Sequence, residues 1–408
     1  MPSFEEARTT ILASVRPLGS EHVPLAEAVG RVLASDVAAP WDLPRWDNSA
    51  MDGFAVRAAD CEGEVTLRIT QFLPAGTDVP AQVLPGTAAR IMTGAPVPPG
   101  GDTVVPVEDA EVLPGKQVKV RGPLRRGAHV RRRGEDFRQR EAVLRAGTVL
   151  TAADVSVLAA FARPHAHVLR RPRVAILSTG DELLAAGEPP MPGRIFDVNG
   201  PALAAAVREA GGDPVPLGIA RDDRDALRRL LADGLEADAL VTTAGAWTGD
   251  RDHVREVLAE LGVRQVFWKV EVKPGKPMSF GLQGDRPAFS LPGNPVAALL
   301  VFETLVRPAL LRMGGHAGPP RPTVRALFQE TLTVKPGRVT LLRVRLERRG
   351  GEVHAASAGP HDTGILRSSV LADGVLVVPE EGAALVPGTP VDVLVLRPGF
   401  EARTSAGA

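Results

Sequence analysis

Val174-Ala-Ile-Leu-Ser-Thr-Gly-Asp-Glu182 is an apolar run that ends in two hydroxyl residues, a glycine and a pair of carboxylates. A buried strand that gives way to turn chemistry and then to a helical stretch opens a strand–helix–strand unit. The following sequence continues in that style. Helical spacing covers Pro201 to Ala210 and stops at Gly211-Gly212, returns over Asp223 to Leu231 and over Val254 to Leu261, and brackets a strand-like Ala239 to Thr243. A later helix from Pro295 to Leu311 has Asn294 as N-cap, Pro295 at its first position and Gly314 beyond its end. Arg171 to about Gly318 is therefore an α/β unit with a mostly parallel sheet.

On the N-terminal side, Ser3 and Glu6 make a capping box, and Phe4, Ala7, Ile11 and Val15 recur on one helical face. A second helical stretch is expected from about Leu25 to Ala34. From Glu64 to Val130 the pattern changes to short β-prone runs, Val65 to Ile69, Thr103 to Val107 and Gln117 to Val120, broken by Pro and Gly. Thr151 to Phe161 has helical spacing again, so the chain is expected to cross back to the first helical region there. Beyond Pro319, alternating runs such as Leu342-Arg-Val-Arg-Leu and Val391-Asp-Val-Leu-Val between Gly/Pro turns predict a separate all-β module.

A chain of 408 residues exceeds one compact core, and 44% hydrophobic with 24% charged residues is an ordinary globular balance. Lys+Arg and Asp+Glu both count 48, so no bulk charge draws the chain to nucleic acid or an anionic membrane. Cys61 is the single cysteine, which excludes an internal disulfide and a thiolate-rich metal site. No apolar run is long enough to span a bilayer, and the acidic, helically spaced N-terminus is unlike a signal peptide. A cytoplasmic setting is the expectation.

Several segments carry chemistry. In Ser178-Thr179-Gly180-Asp181-Glu182, hydroxyls and a glycine turn at a strand end expose amides to an anion, and the carboxylates could hold Mg²⁺ beside it; a capped strand-to-helix turn also fits. Lys269 and Lys273, an even number of residues apart, would face one way on a strand and with Lys276 form a cationic phosphate site, or else a solvated lysine edge. Leu291-Pro292-Gly-Asn-Pro295 fixes a rigid turn at a helix start, either a cap or a pocket wall. Asn48-Ser-Ala-Met-Asp52-Gly and Arg90-Ile-Met-Thr93-Gly-Ala-Pro place a carboxylate and a hydroxyl in loops. Arg131-Arg-Arg-Gly-Glu-Asp136 joins guanidinium groups to an acidic pair, a pattern that a solvated surface also produces. His165 and His167 would share a strand face but lack a third ligand and are read as structural. Neither Gly-Lys pair precedes Ser or Thr, so a Walker A site is unsupported, and no Gly-x-Ser-x-Gly or His-Glu-x-x-His occurs.

Taken in order, Asn48-Ser-Ala-Met-Asp-Gly, Thr93-Gly-Ala-Pro, Arg133-Gly-Glu-Asp, Ser178-Thr-Gly-Asp-Glu, Lys273-Pro-Gly-Lys-Pro and Leu291-Pro-Gly-Asn-Pro resemble the MoeA/gephyrin family over nearly the whole chain. The resemblance implies a multidomain α/β protein. Its parts would be a discontinuous helical domain (1–24, 41–52, 137–170), an inserted β domain (25–40, 53–136), a three-layer α/β molybdopterin-binding domain (171–318) and a C-terminal β-barrel (319–408). It implies a molybdopterin molybdenumtransferase that takes adenylylated molybdopterin and molybdate to molybdenum cofactor and AMP with Mg²⁺, as a homodimer with composite sites and with a molybdopterin adenylyltransferase as a candidate partner. By the same resemblance the functional positions fall on Asp52, Thr93, Asp136, Glu182, Asp222, Lys269 and Lys273, with Glu182 and Asp222 on the metal, the lysines on phosphates, and Pro292 and Pro295 shaping the pocket. Asp52, Thr93 and Asp136 would complete the partner subunit's site.

One departure stands out in Thr242-Thr-Ala-Gly-Ala-Trp-Thr-Gly-Asp-Arg-Asp252, where Ala244 and Trp247 replace the family's usual glycine and serine while Asp250 and Asp252 keep acid function. Trp247 is expected either to stack on the pterin or to plug space. The rival reading is an altered paralogue that serves as pterin carrier or assembly scaffold; a free-standing adenylyltransferase would leave the N-terminal motifs unexplained.

Overall fold

The computed structural model describes residues 1–78, 80–221, 223–243 and 253–400. The chain divides into two compact units, one made of residues 1–34, 149–151 and 165–408 and the other of residues 35–148 and 152–164.

The larger unit is built on a six-stranded sheet in the order Asp213–Ala220, Arg173–Thr179, Ala239–Thr243, Arg286–Leu291, Ser279–Gln283, Arg264–Trp268. The first four strands run parallel; Ser279–Gln283 is antiparallel to both its neighbours, so Arg264–Trp268 runs in the direction of the first four. Both faces of the central strands are covered, which is why Val174 to Leu177 and Ala239 to Val241 read as apolar runs. Val174, Ile176 and Val241 point into a core shared with helices Asn199–Glu209 and Pro295–Val301, whereas Ala175, Leu177 and Leu240 pack against Arg224–Gly234 and His253–Glu260. These are the three layers expected from the sequence.

The N-terminal helix Phe4–Ser14 has the capping box: the Glu6 amide donates to Ser3 Oγ at 3.2 Å and the Ser3 amide to Glu6 Oε2 at 2.8 Å. Phe4, Ala7, Ile11 and Val15 are buried in the same core as the 295–313 helical segment. The helix expected over Leu25 to Ala34 is absent. After one short turn, Leu25–Glu27, Gly30 adopts φ +78°, and Val32 and Leu33 enter bridges to Val149 and Val168. Strand contacts satisfy the apolar residues at helical spacing once the left-handed glycine has ended the helix. The return crossing is made by strand His165–Leu169, which pairs with Ser20–Pro24, rather than by the helical stretch; that stretch is Ala152–Ala160 in the other unit. On the paired strands His167 stacks on His22 at 4.6 Å.

The 295–313 segment contains a π-helical turn, Phe302–Val306, between α-helical Pro295–Val301 and Arg307–Met313. Glu303 sits in that turn and binds two guanidinium groups, Arg307 at 2.8 Å and Arg321 at 2.9 Å. Arg321 also reaches Glu209 at 2.8 Å, which ties the start of the C-terminal module to the α/β layers. That module closes: Val339–Arg349, Glu352–Ser357, Thr323–Phe328, Pro390–Val395 and Gly374–Val378 form a ring of five strands around Phe328, Val344, Ala355 and Val393. Closure leaves no free edge within the ring. A short strand from the α/β region, Val272–Lys273, pairs in parallel with Val339 and Thr340.

The smaller unit carries a six-stranded sheet in the order Thr103–Pro106, Gly53–Val56, Thr87–Ile91, Glu64–Leu73, Gln117–Arg121, Ala110–Leu113. Phe54, Leu67 and Val118 bury one face, and Ala55, Leu73 and Ile91 the other. Phe161, just after helix Ala152–Ala160, meets Trp41 and Phe137 edge to face.

Candidate active site

In the parallel sheet, Thr179 lies opposite Ala220, Ser178 opposite Thr243, and Thr243 opposite Leu291, so the strands end at one level. The helix after Ser178's strand covers one face, and the helix after Thr243's strand covers the other. In open α/β sheets, ligands bind in the crevice beyond the ends of two such strands. The floor of that crevice is hydroxyl-rich. Thr179 Oγ1 donates to the Thr243 carbonyl at 3.0 Å, and the Thr243 and Ser178 hydroxyls lie 3.4 Å apart, all of them buried.

The loop beyond Thr179 turns at Gly180, whose amide donates to the Ala220 carbonyl at 3.1 Å. Glu182's carboxylate folds back over Gly180: an added Cβ would stand 2.4 Å from Glu182 Oε2 at a backbone φ of +144°. Arg221 Nη1 donates to the Asp181 carbonyl at 2.9 Å and to that of Leu183 at 2.7 Å, clamping the turn. Asp181 and Glu182 are exposed at the mouth.

Across the crevice, Asp197 Oδ1 accepts the amides of Asn199 and Gly200 at 3.1 and 3.0 Å and fixes the N-terminus of helix Asn199–Glu209. Gly200 packs over Ser178, whose Oγ would lie 3.2 Å from an added Cβ. Asn199 Nδ2 donates to the Gly293 carbonyl at 2.7 Å, so the turn containing buried Pro292 and half-buried Pro295 borders the same crevice. Asp197, Asn199 and Arg221 escape the sequence reading, which follows helical spacing only from Pro201. Asp197-Val-Asn-Gly200, an N-capping carboxylate just before that helix, is the signal that could have found them. Asn294 occupies the capping position of helix Pro295–Val301 but makes no side-chain cap; its side-chain Nδ2 donates to Thr363 Oγ1 at 2.9 Å. Asp222, Asp250, Asp252, Ala244 and Trp247 lie outside the described residues.

The lysines correct an expectation. Strand Arg264–Trp268 ends before Lys269, which has φ +68° and sets its Nζ 4.0 Å from the centre of the Trp268 ring. A left-handed residue breaks the two-residue alternation, so Lys269 and Lys273 do not share a strand face, contrary to their even spacing. Lys273 belongs to the separate strand on the barrel, and Lys276 follows in the loop; both are exposed. Between them Gly275, at φ +119°, sits where a Cβ would come within 2.2 Å of Val301 Cγ2, so the loop is pressed against the helix. Nearby in the barrel, His361 is held below the usual histidine range by burial and by the charges of Arg343 and Lys273, against the pull of Glu330. Arg343, 2% exposed, donates to Ser368 Oγ at 2.6 Å and to the Pro360 and Asp362 carbonyls at 3.1 Å each.

In the smaller unit, Asp52 and Thr93 are brought together. Asp52 Oδ1 accepts both the Thr93 amide and its hydroxyl at 2.7 Å. These two bonds, the amide first, hold the Asp52 carboxyl below the usual range; slight desolvation opposes them and the Arg90 charge assists. Asp136 is exposed, its amide donating to the Leu43 carbonyl at 3.1 Å. In the arginine run, Arg132 pairs with Asp47 at 2.7 Å and Arg133 with Asp42 at 2.6 Å, so these are structural ties.

Among the described residues no three His, Cys, Asp or Glu side chains converge as a cage. A hard cation that keeps several waters needs only one or two carboxylates beside a phosphate, and Glu182, an oxygen donor folded over an amide-rich turn, fits Mg²⁺ on that count.

Family models match in chain order: the MoeA N-terminal region (domain I and II) over residues 2–162, a probable molybdopterin binding domain over 175–312, and the MoeA C-terminal region (domain IV) over 325–396. The chain belongs to the MoeA family. It is 37% identical over 406 residues to molybdopterin molybdenumtransferase 2 of Mycobacterium tuberculosis, covering 96% of this chain and 99% of that one. It is 37% identical over 413 residues to molybdopterin molybdenumtransferase of Nostoc, covering 97% and 94%. A crystal structure of the molybdopterin biosynthesis MoeA protein from Pyrococcus horikoshii superposes with a TM-score of 0.79 at 29% identity, over 97% of this chain and 100% of that one. The match to the probable molybdopterin binding domain falls on the α/β layers, and the match to the MoeA C-terminal region falls on the closed barrel.

Proposed function

We propose that this chain is a molybdopterin molybdenumtransferase that inserts molybdenum into adenylylated molybdopterin, releasing molybdenum cofactor and AMP. The observation that carries the reading is the cluster of buried hydroxyls, Ser178, Thr179 and Thr243, at adjacent strand ends whose following helices cover opposite faces of the sheet. Buried hydroxyls and the amides around Gly180 and Gly200 suit an oxyanion or phosphate better than an apolar ligand. Ser178, Thr179, Gly180 and Asp181 bind substrate there; Lys269, Lys273 and Lys276 supply positive charge for its phosphates, and Pro292 and Pro295 keep the facing wall rigid. Glu182 and Asp222 would hold Mg²⁺, which spreads the charge of a pyrophosphate under cleavage. Asp250 and Asp252 are assigned to substrate, and Asp52, Thr93 and Asp136 to catalysis.

A homodimer with composite sites, a cytoplasmic location and a molybdopterin adenylyltransferase as substrate donor complete the proposal. Among the described residues, no helix is long and apolar enough to cross a membrane. The deciding measurement is AMP release from adenylylated molybdopterin with and without molybdate: molybdate-dependent release is expected, and its absence overturns the reading in favour of a carrier or scaffold. Mixing Asp52→Ala with Glu182→Ala chains is expected to restore activity. Inactive mixtures with demonstrated subunit exchange would remove the composite-site part.

A further inference from the structure

Trp41-Asp-Leu-Pro-Arg-Trp46, in the segment that leads to Asp52, carries a cluster that the reaction above leaves unused. The Arg45 guanidinium carbon lies 5.3 Å from the centre of the Trp41 ring and 5.8 Å from that of Trp46. The neighbouring carboxylates Asp42 and Asp47 are committed to Arg133 and Arg132, and among the described residues Arg45 has no carboxylate within ion-pair distance. Trp41 is braced edge-on by Phe161, whereas Trp46 leaves 49% of its surface exposed. With Asp42, Arg133 and Gln139 these three side chains line a cleft of ≈ 300 Å³.

An indole left in water and a guanidinium held over rings ask for complementary ligand features. A simple anion would satisfy Arg45 and leave the indole wet; a neutral ring would do the reverse. A planar base that carries a phosphate satisfies both, through stacking and a charge-assisted contact. We propose that Trp41, Arg45 and Trp46 form a binding site for a nucleoside monophosphate, with the base on the Trp46 indole and the phosphate on Arg45. The choice of adenylate rests on the molybdenum-transfer reading, because AMP is the nucleotide that reaction releases.

Calorimetry of the full chain with AMP, adenosine, ribose 5-phosphate and inorganic phosphate tests the assignment. AMP is expected to bind about tenfold or more tightly than any of the other three, since none offers both base and phosphate. Trp46→Ala and Arg45→Gln should each weaken AMP by about tenfold or more without altering the melting temperature, and Trp46→Phe should recover most of the loss. No AMP binding by the unaltered chain, or the same AMP affinity in both variants, overturns the proposal. A Trp46→Ala chain with changed oligomeric state and unchanged AMP affinity overturns it too, assigning the indole to a second copy. If the unaltered chain releases no AMP from adenylylated molybdopterin yet binds AMP through Trp46 and Arg45, the reaction falls and this site stands. Normal release with unchanged affinity in the variants removes this site and leaves the reaction in place.

Discussion

Asp52 Oδ1 receives two hydrogen bonds from one residue, the amide and the hydroxyl of Thr93, both at 2.7 Å. Because these bonds lower the Asp52 pKa, Thr93→Val, which removes one of them, moves it up towards the ordinary range. If Asp52 acts as a carboxylate, the acid limb of the pH–rate profile shifts to higher pH in Thr93→Val, over and above any loss of rate at neutral pH from removing the Thr93 hydroxyl. Asp52→Asn lowers the rate at every pH. An acid limb that stays put in Thr93→Val would separate Asp52 from the titration; carboxyl NMR of Asp52 checks the shift directly.

Glu303→Ala is expected to destabilise the larger unit by roughly 3–5 kcal/mol, because it strands Arg307, which is 3% exposed, without its nearest carboxylate. Urea unfolding measures the loss. A change below about 1 kcal/mol, the level of a surface pair, would mean that the network contributes position rather than stability.

Gly275→Ala combines a left-handed backbone with a 2.2 Å approach to Val301 Cγ2, and each is strained. A loss of roughly 1–3 kcal/mol is expected, together with weaker substrate binding as the Lys273–Lys276 loop is displaced. Adding Val301→Ala should relieve the steric part alone. Full recovery in the double variant would show that the backbone angle costs nothing there.

Asp238 links to Arg170 through two bonds of 2.6 and 2.8 Å and accepts the Arg173 amide at 2.8 Å. Burial pushes its pKa up, but these bonds outweigh it and the carboxyl lies below the usual range. A depressed folded pKa gives stability that is fully present above the unfolded value of about 4 and lost as pH falls through the folded value. Asp238→Asn should therefore be less stable than the parent at neutral pH and lose less on acidification; parallel melting curves across pH would exclude this account.

The α/β layers are legible in the sequence because strands buried on both faces and capped helices announce themselves locally: Val174 to Leu177, Ala239 to Thr243 and the Pro295 helix fall where expected. Leu25 to Ala34 misleads for a physical reason. Its apolar spacing is common to a helix and to a looping segment whose residues are claimed by distant bridges, and only tertiary pairing separates them. Lys269 misleads because a single left-handed residue, invisible in the pattern, turns a strand face around. The Asp52–Thr93 contact joins residues 41 positions apart, and no local rule reports it, although the family resemblance singles out both.

Glu271-Val-Lys273 is a three-way seam: the Glu271 amide donates to the Pro2 carbonyl, the Glu271 carbonyl receives the Val339 amide, and Lys273 lies opposite Thr340. The loop that presents Lys273 and Lys276 is thus knitted to the residues before the N-terminal helix and to the start of barrel strand Val339–Arg349. During synthesis it cannot take its final form until the strand beginning at Val339 has left the ribosome, although everything else in its sequence neighbourhood emerged long before. Nascent chains halted short of that strand should carry a folded parallel sheet and an unset lysine loop, so the phosphate contacts proposed for these lysines would arrive late, in step with the barrel.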